Sequence, residues 1–404
     1  MKSHNECIAM LLAGGEGRRL SPLTSQAAKP IIPFGDRFRM IDFPLINCAN
    51  SNIGTIGVLT QYCADSVHKY VLNDHHGLQE SSAASGVTVL PSSRKRADGY
   101  AGTADAIYQN IDYIDQYSPE HVLILSGDHI YEMDYKPMLE FHKNRSAAVT
   151  IAVKQVPWRE ASRFGIIHTD DNFKVHSFHE KPAKPTSNLA SMGIYLFRWA
   201  DLRAYMLEDA ANPNSSHDFG KDVIPAILAS KASMLAYPYE GYWRDVGTID
   251  SLWEANMDLL DGEFKLNKQQ SQRFTTGSLE KPYLSPEATI TDSLLHPACA
   301  IESDVTRSVI CNGVSIGANS EIYESIIMPG ARIGRNVTIH RAIIGEGAII
   351  HDDAFIGQLN DDISVVGPGE AITASTSAMK GYNLEPLASL LNEVPGRIHS
   401  NMLG

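Results

Sequence analysis

Along the first 260 or so residues, short unbroken apolar runs alternate with stretches whose apolar positions recur every three or four residues. CIAMLLAGG (7–15), TIGVLTQY (55–62), HVLILSGD (121–128) and AAVTIAVK (147–154) each read as a buried strand ending in a turn. ADAIYQNIDYIDQY (104–117) and KPMLEFHKN (136–144) have helical spacing. This alternation predicts an α/β unit: a mostly parallel sheet with helices on both faces and ligands beyond the carboxyl ends of the strands. LAGGEG and LSGDHIY fall at such ends.

After WEANMDLLDGEF (253–264) the pattern stops, and residues 263–285, rich in Lys, Gln, Ser and Thr, read as a linker. A different period then begins. Ile310, Ile316 and Ile322 are six apart, as are Ile327, Ile333 and Ile339, and Ile344, Ile350 and Ile356; each trio steps to the next by five. One aliphatic per six residues, with small and polar residues between, is the signature of a left-handed parallel β-helix. The chain therefore divides into 1–262, the linker, a coil domain over 286–375 and a tail over 376–404, in which PLASLLNEV has the spacing of one short helix.

Composition narrows the function. A chain of 404 residues is too long for one compact core. No run approaches the roughly 20 apolar residues of a membrane helix, and the first strand follows the N-terminus too closely for a leader, so a cytoplasmic location is expected. The net charge of −13 argues against non-specific nucleic-acid binding. A phosphorylated substrate then needs its cations gathered locally. The five cysteines are scattered and include no CxxC, which suggests neither a disulfide framework nor a zinc site.

Such a gathering follows the first strand. Gly14, Gly15 and Gly17 permit a tight turn and a close backbone approach to a ligand, and Arg18, Arg19 and Lys29 supply phosphate-binding cations. The GGxG spacing is neither the dinucleotide fingerprint nor a P-loop, which ends in GK[ST].

The stretch LAGGEGRRLSPLTSQAAKP with RMIDFPLIN resembles the N-terminal signature of the sugar-nucleotide pyrophosphorylases, and within them the glucose-1-phosphate adenylyltransferases. GVLTQY, GTADAIYQN, LSGDHIY, SRFGI, FHEKP, LASMGIY, SSHDFGKDVIP and YWRDVGT follow in that family's order, over about residues 7–260, and the six-residue repeats match its C-terminal domain. The resemblance implies a Rossmann-like nucleotidyltransferase domain before the β-helix. It implies adenylyl transfer from ATP to glucose 1-phosphate, giving ADP-glucose and pyrophosphate for glycogen synthesis. It assigns Gly14, Gly15, Gly17, Arg19, Lys29 and Gln61 to ATP, and Tyr100, Gly165, Glu180, Lys181 and Ser191 to glucose 1-phosphate. Asp128 and Asp245 would hold Mg²⁺, and Arg19, Lys29, Asp128 and Lys181 would act in catalysis. Asp218 and Lys221 would shape the sugar side. It further implies a homotetramer, or a heterotetramer with a paralogous subunit.

The chain departs from the family pattern at Gly99 and Ala101 around Tyr100, at Ile46, and over 72–98, which implies altered control by activating sugar phosphates; Arg37 and Arg39 are candidates for an anion site. Three alternatives stay open: transfer from another nucleoside triphosphate, a non-catalytic partner subunit, and an acyltransferase using His296, His340 or His351 in the coils.

Overall fold

The computed structural model describes residues 6–74, 86–92, 99–265, 281–357 and 362–379. Among these, nine strands form the main sheet: β1 Cys7–Leu12, β2 Thr55–Thr60, β3 Gly86–Pro91, β4 His121–Ser126, β5 Val149–Gln155, β6 Gly165–Thr169, β7 Val175–Glu180, β8 Leu189–Arg198 and β9 Met234–Pro238. The spatial order is β7-β6-β8-β4-β1-β2-β3, with β5 and β9 joined through β8. β3, β2, β1 and β4 are parallel neighbours. β8 runs antiparallel to β4, β5 and β6, a half of the sheet that the apolar pattern did not distinguish.

β1 shows why the apolar runs are continuous. Ile8 and Met10 enter one cluster with Leu59, Val122 and Ile124, while Ala9 and Leu11 enter the opposite one with Ile56, Val58, Leu123 and Leu125. Side chains alternate across a strand, so a strand buried on both faces has no polar phase. Segment 104–117 forms two helices, Thr103–Tyr108 and Ile111–Asp115, instead of one. At the break, the Asn110 amide donates to the Ala106 carbonyl at 2.8 Å and to the Tyr100 hydroxyl at 3.1 Å, competing with the helical ladder.

In the C-terminal part the isoleucine trios become columns. Ile310, Ile327 and Ile344 pair in one parallel sheet, Ile316, Ile333 and Ile350 in a second, and Ile322, Ile339 and Ile356 in a third. These sheets form the left-handed β-helix. Ser308 and Ser325 stitch successive turns together, each accepting from the backbone N–H seventeen residues on, at 3.0 and 3.1 Å. The neighbours Val309, Ile326 and Ile343 point outward, where they pack on Leu20, Phe34, Ile130, Val246 and Leu252 of the N-terminal part. The segment PLASLLNEV, most of the linker and most of 72–98 lie outside the described residues. Among the described residues, no helix is long and apolar enough to cross a membrane.

Candidate active site

The carboxyl ends of β1, β2 and β4 present the Gly-rich loop, Gln61 and Gly127–Asp128 side by side. The loop's shape is forced at Gly17. Its φ is +68°, and a Cβ there would lie 2.9 Å from Thr24 Cγ2 and 3.0 Å from Lys29 Cβ. Glycine thus lets the stem of buried Lys29 pass under the loop. Gly15 has open space around its Cβ position. Arg18 turns outward to Glu16, whereas Arg19 reaches the site, its Nη2 2.9 Å from where a Cβ on Gly247 would sit.

Asp128 and Asp245 are brought together by a two-stranded antiparallel ribbon. His129–Tyr131 pairs with Trp243–Asp245, His129 opposite Asp245. Lys29 Nζ stands 2.5 Å from Asp128 Oδ2 and 3.8 Å from Asp245 Oδ1. Ser126 donates to Asp128 Oδ1. Burial alone would raise the Asp128 carboxyl's pKa. The Lys29 charge, with the hydrogen bonds from Lys29 and Ser126, overrides that and holds it well below the usual carboxylate range. Asp128, His129 and Asp245 present potential ligand atoms within 4.8 Å of one another, and a pair of carboxylates suits a hard divalent cation.

These groups line a cavity of about 310 Å³, together with Arg163 and Lys181. Four cationic side chains, Arg19, Lys29, Arg163 and Lys181, thus face one carboxylate pair. Arg163 Nη2 is buried and without a hydrogen-bond partner among the described residues. A buried guanidinium donor in that state, on the wall of a cavity, is free to meet a ligand there.

The nucleotidyl transferase family model matches residues 8–262, and a GlmU-like C-terminal hexapeptide model matches 283–364. A glucose-1-phosphate adenylyltransferase of Geobacillus stearothermophilus is 54% identical over 77% of this chain and 82% of its own length. Those of Bacillus cereus strain Q1 and Bacillus anthracis are 51% identical over 79% of this chain and 86% of theirs. The chain belongs to the glucose-1-phosphate adenylyltransferase family. It is a nucleotidyltransferase.

Placed in that family's terms, the expected residues separate into those in the cavity and those around it. Lys181 reaches the cavity from a backbone with φ +45°, a left-handed conformation that costs a lysine energy. Its Nζ lies 2.8 Å from Glu180 Oε1. Glu180 is wedged between two glycines: a Cβ on Gly165 would come 3.0 Å from its Oε2, and one on Gly220 2.6 Å. Ser191 sits at a bulge in β8, with Tyr195 OH 3.5 Å away. Asp218 caps the turn over Gly220 and Lys221 and accepts from Thr103, docking the GTAD segment on HDFGKD. Tyr100 and Gln61 are placed differently. The Tyr100 hydroxyl donates inward to the Leu90 carbonyl at 3.0 Å, and the Gln61 amide exchanges two 3.3 Å bonds with the Tyr100 backbone. Sequence reasoning missed Arg163, Trp243, Tyr195 and Gly247, although all four lie inside quoted motifs.

Proposed function

We propose that this chain transfers the adenylyl group of ATP to α-D-glucose 1-phosphate, releasing pyrophosphate and giving ADP-glucose for glycogen synthesis. The observation that carries this reading is the single cavity in which Arg19, Lys29, Arg163 and Lys181 surround Asp128 and Asp245. In-line displacement at the α-phosphorus needs positioning and charge neutralisation more than covalent participation by the protein. The backbone of Gly14, Gly15 and Gly17, with Arg19, holds the triphosphate. Lys29 neutralises charge as pyrophosphate leaves. Lys181, with Arg163, takes the sugar phosphate, while Glu180, Gly165, Ser191 and Tyr100 frame the sugar and Gln61 borders the base. Asp128 and Asp245 hold a divalent cation, Mg²⁺ in this reading, which when bound neutralises phosphate charge. The attacking phosphate oxygen is already ionised, so no side chain has to act as a general base.

The chemistry falls to residues 1–262, and the coils of 286–375 make this a homotetramer, or a heterotetramer with a paralogous subunit, in the cytoplasm. Light scattering that finds a monomer at working concentration overturns the assembly.

The deciding experiment is pyrophosphate release with Mg²⁺ and glucose 1-phosphate, offering ATP, UTP, dTTP and GTP separately. Turnover with ATP alone, and a raised KM for glucose 1-phosphate in Lys181→Ala, is the expected result. Turnover with another nucleotide overturns the base assignment. Silence with all four overturns the claim that this chain is competent by itself.

A further inference from the structure

The Asp128–His129–Asp245 cluster has the outline of a mixed carboxylate–imidazole metal site. A histidine ligates through a ring-nitrogen lone pair, and the neutral ring has only one. Trp243 decides which nitrogen keeps it. An indole N–H donates and cannot accept. Trp243 Nε1 lies 3.3 Å from His129 Nδ1, so Nδ1 is the acceptor and the ring proton resides on Nε2. Nε2 is the atom that faces the carboxylates, 3.6 Å from Asp128 Oδ1 and 3.8 Å from Asp245 Oδ1. The nitrogen turned toward the cation position therefore presents a hydrogen.

The ring is held in that orientation. It stacks edge-to-face on Trp243, centroids 5.5 Å apart at 88°. Gly193, at φ +66°, closes in from the other side, its Cβ position 3.4 Å from His129 Cε1. The ribbon that pairs His129 with Asp245 also fixes Trp243, two residues earlier.

We propose that the Trp243–His129 hydrogen bond is a metal-selectivity device: it locks His129 as the Nε2–H tautomer, so that the site offers a cation carboxylate oxygens and no imidazole nitrogen. Hard Mg²⁺ is content with oxygen, whereas Mn²⁺, Co²⁺ and Zn²⁺ gain from nitrogen, so withholding it narrows their advantage. Trp243 is a positioning residue that acts through His129. This inference rests on the reading that Asp128 and Asp245 hold a divalent cation.

The test uses the full chain labelled with ¹⁵N-histidine, Mn²⁺ as the probe and α,β-methylene-ATP as the nucleotide. Pulsed electron paramagnetic resonance then reports whether a histidine nitrogen is bonded to the metal, distinct from adenine nitrogens. Wild type is expected to show no directly bonded ¹⁵N. Trp243→Phe keeps an aromatic ring but removes the donor. It is expected to show bonded ¹⁵N and to raise the Mn²⁺-over-Mg²⁺ affinity ratio by about fivefold or more. Adding His129→Gln to Trp243→Phe should erase both changes. Bonded ¹⁵N in wild type overturns the inference without needing any variant to fold, as does a folded Trp243→Phe that shows neither change. Asp128→Asn separates the two claims. If it abolishes Mn²⁺ binding while wild type shows bonded ¹⁵N, the cation reading stands and the inference alone falls. If Mn²⁺ binding ignores Asp128→Asn, both fall.

Discussion

At the scale of single residues, the cavity contrasts two lysines that are held by carboxylates with an arginine that keeps a bare donor. Lys29 is held by Asp128 and Lys181 by Glu180, but Arg163 Nη2 is buried with no hydrogen-bond partner among the described residues. Losing a charge-assisted contact to a phosphate costs about 1.5–3 kcal/mol, which is about 10- to 150-fold. Arg163→Ala is therefore expected to lower kcat/KM for glucose 1-phosphate by that factor in steady-state assays, while a melting curve shows little change. A wild-type kcat/KM removes Arg163 from the site. Lys181 allows a sharper test, because its φ of +45° separates function from stability. Both Lys181→Ala and Lys181→Gly should raise the KM for glucose 1-phosphate by the same order. Only glycine relieves the left-handed backbone, which penalises other residues by about 1–2 kcal/mol. The glycine variant should melt higher than the alanine variant, and equal melting temperatures contradict the strain. Lys181 was legible because EKP sits inside a recognisable motif. Arg163 was not, since beside Phe164 and Gly165 it reads as a solvated charge on a turn, and only the fold shows that its guanidinium is covered.

At the scale of elements, the helix Lys136–Asn144 docks on the sheet through a histidine. His142 is 1% exposed, its Nδ1 lies 2.8 Å from Thr150 Oγ1, and its Nε2 has no partner among the described residues. Its ring meets that of His121 edge-on, centroids 5.2 Å apart. Burial, with the nearby His121 and Arg198 charges adding to it, pushes His142 down to about 3; burial also lowers His121. The folded chain thus binds fewer protons here than the unfolded chain, whose histidines titrate near 6.5. This contribution is full above about pH 6.5 and is lost as pH falls toward 3, at about 1.4 kcal/mol per unit for one group. Between pH 7.5 and pH 5, His142 alone should cost about 2 kcal/mol, read as a fall in the first urea transition. His142→Gln should flatten that dependence, and a wild-type transition that does not move over this range contradicts the assignment. Helix and strand were both readable here, since nine residues with helical spacing and an unbroken apolar run are local signals. The nine isoleucines were readable for the same reason, because their period recurs within a few residues. The ribbon joining His129 to Asp245 and the antiparallel run of β8 are settled by residues far apart in sequence, and no local pattern announces them; the break at Asn110 is local, but it lies in side-chain bonds to Ala106 and Tyr100 that apolar spacing does not record.

At the scale of the whole molecule, the coil domain is part of the active site's support. The apolar cluster that receives Val309, Ile326 and Ile343 also contains Leu20 and Val246, the immediate neighbours of Arg19 and Asp245. A second tie is polar. Arg39 donates to both carboxylate oxygens of Glu346 in the coils, at 3.2 and 3.1 Å, and to the Ile31 carbonyl at 2.5 Å, in the short turn that begins at Lys29. With Arg37 paired to Asp36 at 2.6 Å, both arginines expected to receive an anion already face carboxylates of the chain. An incoming sugar phosphate must displace them, so activation by fructose 1,6-bisphosphate is expected to stay below about tenfold. Magnitudes rank the two ties. Glu346 is 43% exposed, and such a pair contributes about 0.2–1 kcal/mol. Ile326 is 1% exposed, and a charge placed there has no partner to offset its desolvation. Ile326→Asp should therefore undock the coils and lower kcat/KM by more than about tenfold, with the circular dichroism of both parts kept. Glu346→Gln should change kcat/KM by less than about threefold. If the ranking is reversed, with Glu346→Gln crippling turnover and Ile326→Asp tolerated, then the ion pair through Arg39 and Ile31 sets Lys29, and the apolar contact only joins the two parts.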